Sequence, residues 1–291
     1  MNYSTEAGKP ISTMRICFYG AGSMAEAISR GLIENQLTPP GQISMLNRQN
    51  KDRLQELNDR YGVQTILQGA TNEQFIREAD IIFLAMKPKD AAEAIGGIRH
   101  LLSERQLVIS VIAGLSIDSI GKLIGPDIPV VRSMPNTSST IGLGVTGISY
   151  SSRVSEEQRK LTDQLFQAVG MTQTVDETKQ DSITGVSGSG PAYVYYFMEA
   201  MMEGAAQLGF DEQTARELVV QTVLGAAEMV RLTGEEPAVL RRKVTSPNGT
   251  TQAAIEVMAA GNLKETVMKG MLRSTERAGE IGAELERNIQ R

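Results

Sequence analysis

Apolar residues follow two regimes along the chain. As far as about residue 176, short apolar runs alternate with helical patterns; beyond it the strand signals cease and long helical patterns take over. Arg15-Ile-Cys-Phe-Tyr19, Ile43-Ser-Met-Leu46, the stretch Ala79–Met86, Leu107–Ile112 and Ile128–Arg132 read as strands. The run Ala79–Met86 is almost continuously apolar, as expected of a strand inside a parallel sheet covered on both faces. An alanine-rich helix is expected from about Glu26 to Glu34, another over Ser155–Val169, and a short strand at Thr172–Val175. The pattern predicts an α/β chain: a polar, flexible lead-in over Met1–Thr13, a doubly wound sheet over residues 14–176, and an all-helical part over residues 177–291.

Pro191–Leu208 is apolar almost all round, with Val194, Tyr195, Tyr196, Phe197, Met198 and Met201 among its residues. Gly209 can cap it and Asp211 can start the next helix; Arg216–Leu232 and Leu263–Ile289 continue the helical half. A helix apolar on every side must be buried on every side. In a domain of about 115 residues that is easier if a second subunit covers it, so this half reads as a dimerisation domain. The alternative is the central helix of a self-contained bundle. The methionines serve as core filler.

The first strand runs straight into Gly20-Ala-Gly-Ser-Met-Ala25. Strand, Gly-x-Gly-x-x-Ala, helix is the context that a dinucleotide fingerprint requires, and it makes the sheet Rossmann-type. Gly20 allows the tight turn, Gly22 lets a pyrophosphate approach the backbone, and Ala25 lets the helix pack on the strand; Ser23 and Met24 line the same loop. The second strand ends in Asn47-Arg48, where an NAD-specific site carries Asp or Glu. Both side chains can donate to a 2′-phosphate, so NADPH is preferred and NADH is not excluded. Ligands of open α/β sheets lie outside the carboxyl ends of strands. That places Ala85, Lys87, Pro88, Ala113, Gly114, Met134, Pro135 and Asn136 along the expected cofactor path, although each alone is also ordinary loop chemistry. Ser187-Gly-Ser-Gly-Pro-Ala-Tyr193 is expected to open the central helix, with Ser189 near the cofactor, or else simply to cap it.

Leu240–Met258 contains Thr245-Ser-Pro-Asn-Gly-Thr-Thr251. Pro247, Asn248 and Gly249 break one helix, and Gln252–Met258 starts another. The open N–H groups of a helix start favour an anion, and the hydroxyls beside it can orient a second polar group. The segment reads as a pocket for a small carboxylate; an ordinary N-cap is the bland alternative.

Composition narrows the choice. A chain of 291 residues suggests two domains, and 41% hydrophobic with 22% charged residues is ordinary for a soluble protein. A net charge of −5 argues against a general nucleic-acid binder. No apolar run approaches the ~20 residues of a membrane span, and no secretory signal opens the chain. The single cysteine, Cys17, excludes an internal disulfide; with these features a cytoplasmic protein is expected. The single histidine, His100, is expected at a helix end, so clustered His/Cys metal sites and a Ser-His-Asp triad lack their residues, and no metal is expected.

Taken in order, Gly20–Ala27, Leu84–Pro88, Ser133–Thr137, Ser187–Tyr193 and Val244–Thr251 resemble the motifs of pyrroline-5-carboxylate reductases, over nearly the whole chain. The chain departs in having Asn248-Gly249 where that family usually has Gly-Gly, and Ala259 where it has an acidic or amide residue. The resemblance implies reduction of 1-pyrroline-5-carboxylate to L-proline by NAD(P)H, the last step of proline biosynthesis. It implies Thr251 as the residue bonding the ring nitrogen, with Ser246, Asn248, Gly249 and Thr250 around the carboxylate. It also implies a homodimer, with a larger ring of dimers left open. A β-hydroxyacid dehydrogenase is disfavoured because no Lys is followed by Asn four residues later. A non-catalytic NADPH sensor has no use for Thr251.

Overall fold

Eight strands form one sheet in the order β3-β2-β1-β4-β5-β6-β7-β8 in the computed structural model, which describes residues 9–68 and 73–289. The lead-in expected over Met1–Thr13 lies outside the described residues as far as residue 8. The strands are β1 (Ile16–Tyr19), β2 (Ile43–Asn47), β3 (Gln64–Leu67), β4 (Ile81–Leu84), β5 (Leu107–Ser110), β6 (Val130–Met134), β7 (Gly144–Tyr150) and β8 (Gly170–Thr174). β3, β2, β1, β4, β5 and β6 pair in parallel, β7 is antiparallel to β6, and β8 is parallel to β7. β3 and β7 are strands that the apolar pattern does not announce. β3 is short and partly exposed, and β7 mixes Gly and Thr with its apolar residues.

Every residue of β1, β4 and β5 is buried. Phe18 stacks on Phe83 at 4.6 Å, and Phe166 meets Phe83 edge-on at 6.1 Å. Helices cover the sheet: α1 (Ser23–Glu34), α2 (Lys51–Tyr61), α3 (Glu73–Glu78), α4 (Ala91–Ile98), α5 (Ile117–Ile124) and α6 (Glu156–Gln167). Ser155 and Gln158 close a capping box at the start of α6, satisfying two otherwise open N–H groups. Cys17 is fully buried in β1, and burial pushes its thiol up to about 12, which leaves it inert.

Among the described residues from 177 onward there are helices and no strands: the single turn α7 (Gln180–Ile183), a π-turn at Thr184–Gly188, α8 (Gly190–Gln207), α9 (Glu212–Thr233), α10 (Pro237–Lys243), α11 (Thr250–Ala260) and α12 (Leu263–Ile289). The chain divides into two compact units, one of residues 1–189 with 274–291 and one of residues 190–273. Residues 177–189 and the end of α12 thus cluster with the sheet. Gly114, at φ +78° after β5, packs against Gly282 of α12, and Ile281 and Leu285 join the apolar layer under the sheet.

Within the second unit α8 packs along α9. Asp211 caps α9 by accepting from the Thr214 N–H at 3.0 Å. Only Ala215 and Val219 are buried among this unit's described residues, whereas Tyr195, Phe197 and Leu208 on or beside α8 are exposed and Tyr196 is 76% exposed. Among the described residues no helix is long and apolar enough to cross a membrane.

Candidate active site

Gly20 stands at φ +122°, and a Cβ there would strike the backbone carbonyl of Ala85, so only glycine lets the turn pass the end of β4. The Gly20 N–H donates to the Leu46 carbonyl at 3.1 Å, which ties the turn to the end of β2. Gly22 is the N-cap of α1, without a side-chain cap, and a Cβ there would meet nothing within 4 Å. Among the described residues the N–H groups of Ser23, Met24 and Ala25 have no partner; the first helical bond is Glu26 N–H to Gly22 O at 3.0 Å. Exposed backbone, open donors and clear space are what a pyrophosphate needs. The turn fits a dinucleotide.

At the end of β2 the Asn47 amide is oriented by its own turn. Its Oδ1 accepts from the N–H groups of Gln49 at 3.1 Å and Asn50 at 3.0 Å, while its Nδ2 has no partner among the described residues. Arg48 is exposed and makes no ion pair among the described residues. Both therefore keep donors available for an anion. His100 lies in a short helical turn with its side chain 61% exposed, 3.7 Å from Glu73.

The other expected path residues divide by role. Ala85, Lys87 and Pro88 follow β4, with Lys87 exposed; Ala113 and Gly114 follow β5. Gly114 is buried beneath α12, so its left-handed backbone serves packing. Met134 ends β6 and Pro135 and Asn136 follow it, both buried. The Asn136 amide is committed: Nδ2 donates to the Ser187 carbonyl at 3.0 Å, and Oδ1 accepts from the Val145 N–H at 3.2 Å. Arg132, buried in β6, pairs with Asp181 at 2.9 Å and Glu177 at 3.3 Å, a triad the linear pattern does not reveal.

Ser187–Tyr193 spans the start of α8 at Gly190, as expected, with Pro191 in its first turn. What the sequence does not announce is the π-turn at Thr184–Gly188 just before it, and the Ser189 N–H is taken by the Thr184 carbonyl at 2.8 Å. Such widened turns often mark functional sites. Ser189 Oγ instead accepts from Ser274 Oγ at 3.0 Å.

In the second unit the hydroxyl-rich segment links α10 to α11. Pro247 and Asn248 occupy the middle of a turn closed by the Gly249 N–H donating to the Ser246 carbonyl at 3.0 Å. Asn248 stands at φ +59°, the left-handed geometry that a type II turn demands after Pro and that Asn tolerates better than most residues. A Cβ on Gly249 would collide with the Ser246 hydroxyl, so that oxygen lies directly under the start of α11. The Asn248 N–H donates to Gln252 Oε1 at 2.8 Å. Gly249's N–H, expected to face a carboxylate, is therefore spent on the turn. The open donors are the N–H groups of Thr250, Thr251 and Gln252, which have no partner among the described residues. Thr251 is half-buried, while Thr250 and Ser246 are exposed.

Beneath the glycine turn lies a charged cluster missed at the level of sequence. Arg53 of α2 donates through Nε to the Ala21 carbonyl at 3.3 Å and through its terminal nitrogens to Glu26 and, at 2.8 Å, to Glu56. Arg60 at 3.1 Å and the Tyr61 hydroxyl at 2.7 Å also donate to Glu26. Burial pushes the Glu26 carboxyl up, but the hydrogen bonds from Arg53 and Tyr61 and the two guanidinium charges outweigh it and hold Glu26 below the usual carboxylate range. Burial, then the bond to Glu26, raises the Tyr61 phenol.

Two family models match the chain: one described as pyrroline-5-carboxylate reductase dimerisation, over residues 177–281, and one as NADP oxidoreductase coenzyme F420-dependent, over residues 15–114. The chain is 39% identical over 273 residues to pyrroline-5-carboxylate reductase 1 of Bacillus subtilis (strain 168), covering 94% of this chain and 91% of that protein. It is 34% identical to the pyrroline-5-carboxylate reductase of Arabidopsis thaliana, with 94% and 97% covered. Among solved structures, a pyrroline-5-carboxylate reductase from Coxiella burnetii matches with a TM-score of 0.84 at 39% identity, covering 92% of this chain and 98% of that one. The Plasmodium falciparum pyrroline carboxylate reductase with NADP bound matches with a TM-score of 0.85 at 26% identity, covering 94% and 99%.

Proposed function

The chain belongs to the pyrroline-5-carboxylate reductase family, and from that membership we infer its reaction, the NAD(P)H-dependent reduction of 1-pyrroline-5-carboxylate to L-proline in proline biosynthesis. The bound nicotinamide cofactor supplies the hydride. The observation that carries the residue assignment is the start of α11, where open N–H groups, a left-handed Asn248, the Ser246 hydroxyl beneath Gly249 and the half-buried Thr251 fall within one short segment.

The substrate is a small anion with a basic ring nitrogen. A cyclic imine is protonated without an enzyme acid, and the iminium accepts hydride readily, so the chain's task is to bind and orient. The N–H groups of Thr250 and Gln252, with the Ser246 hydroxyl, suit the carboxylate, and the positive end of α11 adds to their attraction. The Thr251 hydroxyl holds the ring nitrogen and fixes which face of the ring is presented. Gly249 and Asn248 shape the turn, and the backbone N–H groups of both are spent there.

NADPH is the preferred form. Asn47 Nδ2 and Arg48 offer donors where an acidic residue would repel a 2′-phosphate. NADH remains usable because the pyrophosphate is held by backbone. Copies of the chain pair through the helical unit, whose exposed Tyr195, Tyr196 and Phe197 offer apolar surface for a partner copy to cover.

The test follows NADPH oxidation with the pyrroline substrate in wild type, Thr251→Ala and Thr251→Ser. A hydrogen bond to a charged group contributes roughly 1.5–3 kcal/mol. Thr251→Ala should therefore lower kcat/KM roughly 10- to 150-fold, with NADPH affinity unchanged. Thr251→Ser keeps the hydroxyl and should retain most of the activity. Wild-type turnover in Thr251→Ala refutes the role.

A further inference from the structure

Arg53 is unusual in having every guanidinium nitrogen engaged while its side chain is only 19% exposed. One contact is to the Ala21 carbonyl, on the underside of the glycine turn, where Ala21 itself is 3% exposed. The second is to Glu26, whose side chain is 17% exposed and which lies in the first turn of α1, next to the open N–H groups of Ser23, Met24 and Ala25. The third is to Glu56, which Arg60 also contacts at 3.2 Å. With each of its three nitrogens bonded to a protein acceptor, the Arg53 guanidinium is fixed beneath the turn rather than presented to a phosphate.

A carboxylate in this place is a problem for an anion site. Glu26 suits the dipole of α1, but a dinucleotide brings two further negative charges to the same helix end. Arg53 and Arg60 together with Glu26 and Glu56 make a cluster of zero formal charge. Without Arg53 the cluster is left with a net negative charge beside the turn, and the Ala21 carbonyl loses its support.

We propose that Arg53 is a positioning residue for the dinucleotide: it holds the Ala21 carbonyl and cancels the charge of Glu26, so that the glycine turn keeps its shape and its attraction for a pyrophosphate. The role rests on the reading that the cofactor sits at Gly20–Ala25. Arg53 touches neither cofactor nor substrate in this role, so its loss acts on binding rather than on the hydride step.

NADPH affinity of the full-length protein, from fluorescence titration, is compared with kcat at saturating NADPH. Arg53→Met should weaken NADPH binding on the order of tenfold, with kcat nearly unchanged. The double variant Glu26→Gln/Arg53→Met should recover most of that loss, because the charge left exposed is gone. Glu26→Gln alone should bind NADPH at least as tightly as wild type. Wild-type affinity in Arg53→Met, a double variant as weak as Arg53→Met, or weakened binding in Glu26→Gln each overturns the role. If Arg53→Met does not fold, the double variant and Glu26→Gln decide by the same criteria. Gly22→Val separates the two levels, since its side chain enters the clear space above the turn. If it binds NADPH normally, the assignment of the cofactor to this turn fails. If it loses binding while Arg53→Met does not, only the role of Arg53 fails.

Discussion

Helices α1 and α11 begin alike, each on a glycine N-cap with no side-chain cap and each leaving its first N–H groups open. Their supports differ. The turn before α1 is assembled from distant parts of the chain: the Leu46 carbonyl from β2, the Ala85 carbonyl after β4 and the Arg53 side chain from α2. The turn before α11 is built from its own neighbours: Ser246, Pro247, Asn248 and Gln252 make every contact that shapes it. A helix start with open N–H groups can therefore be held either by a sheet or by one local turn. The first is stiff only when the sheet is formed; the second carries its geometry in a few residues.

The largest test of this contrast pairs two Gly→Ala changes. Gly20→Ala places a Cβ against the Ala85 backbone at a φ that alanine avoids, with no flexible neighbour to yield. It should cost about 2–4 kcal/mol in a denaturant titration and abolish measurable NADPH binding. Gly249→Ala meets mainly the Ser246 hydroxyl, a side chain that can rotate away, and Gly249 has ordinary extended backbone. It should cost on the order of 1 kcal/mol and leave NADPH affinity intact while raising the KM for the pyrroline substrate. Equal losses of stability in the two variants would break the contrast.

Asn47→Asp sharpens the side built by the sheet. Either residue can accept from the Gln49 and Asn50 N–H groups, so the turn at the end of β2 is kept. Only the outward atom changes, from a donor to a negative oxygen. The ratio of kcat/KM for NADPH over NADH should fall by about tenfold. An unchanged ratio removes this strand end from cofactor selection.

Asn248→Ala probes the local side and should have the smallest effect. Alanine at φ +59° costs roughly 1–2 kcal/mol relative to glycine, so thermal stability drops slightly. Asn248→Gly should be neutral or slightly stabilising, with activity retained. A large loss of activity in Asn248→Gly would show that the Asn side chain does more than accept left-handed geometry.

How much was legible follows from the same contrast. The glycine turn and the helix break at Pro247, Asn248 and Gly249 were readable because each depends on residues a few positions apart. The buried strands β1, β2, β4, β5 and β6 were readable, to within a few residues, from their apolar runs. β7 escaped because its Gly and Thr residues dilute the apolar signal. The motif Ser187–Tyr193 announced the start of α8 at Gly190 but not the π-turn at Thr184–Gly188, because Gly and Ser mark a helix start and a widened turn equally well. Asn136 reads from the sequence as a residue along the cofactor path, but strand pairing places it where Val145 and Ser187 use both ends of its amide.

The amino-acid sequence alone determined where turns form, which strands are buried, which helix starts are left open and that α8 is apolar on nearly every side. These are properties of neighbouring residues and of their periodicity. Tertiary structure decided that Arg53 lies under Ala21, that Arg132 meets Glu177 and Asp181, and that Gly114 passes under Gly282. Such pairs lie 32 to 168 residues apart. No local preference encodes them, because they exist only once the parallel strands have been ordered and the last helix has returned to the sheet.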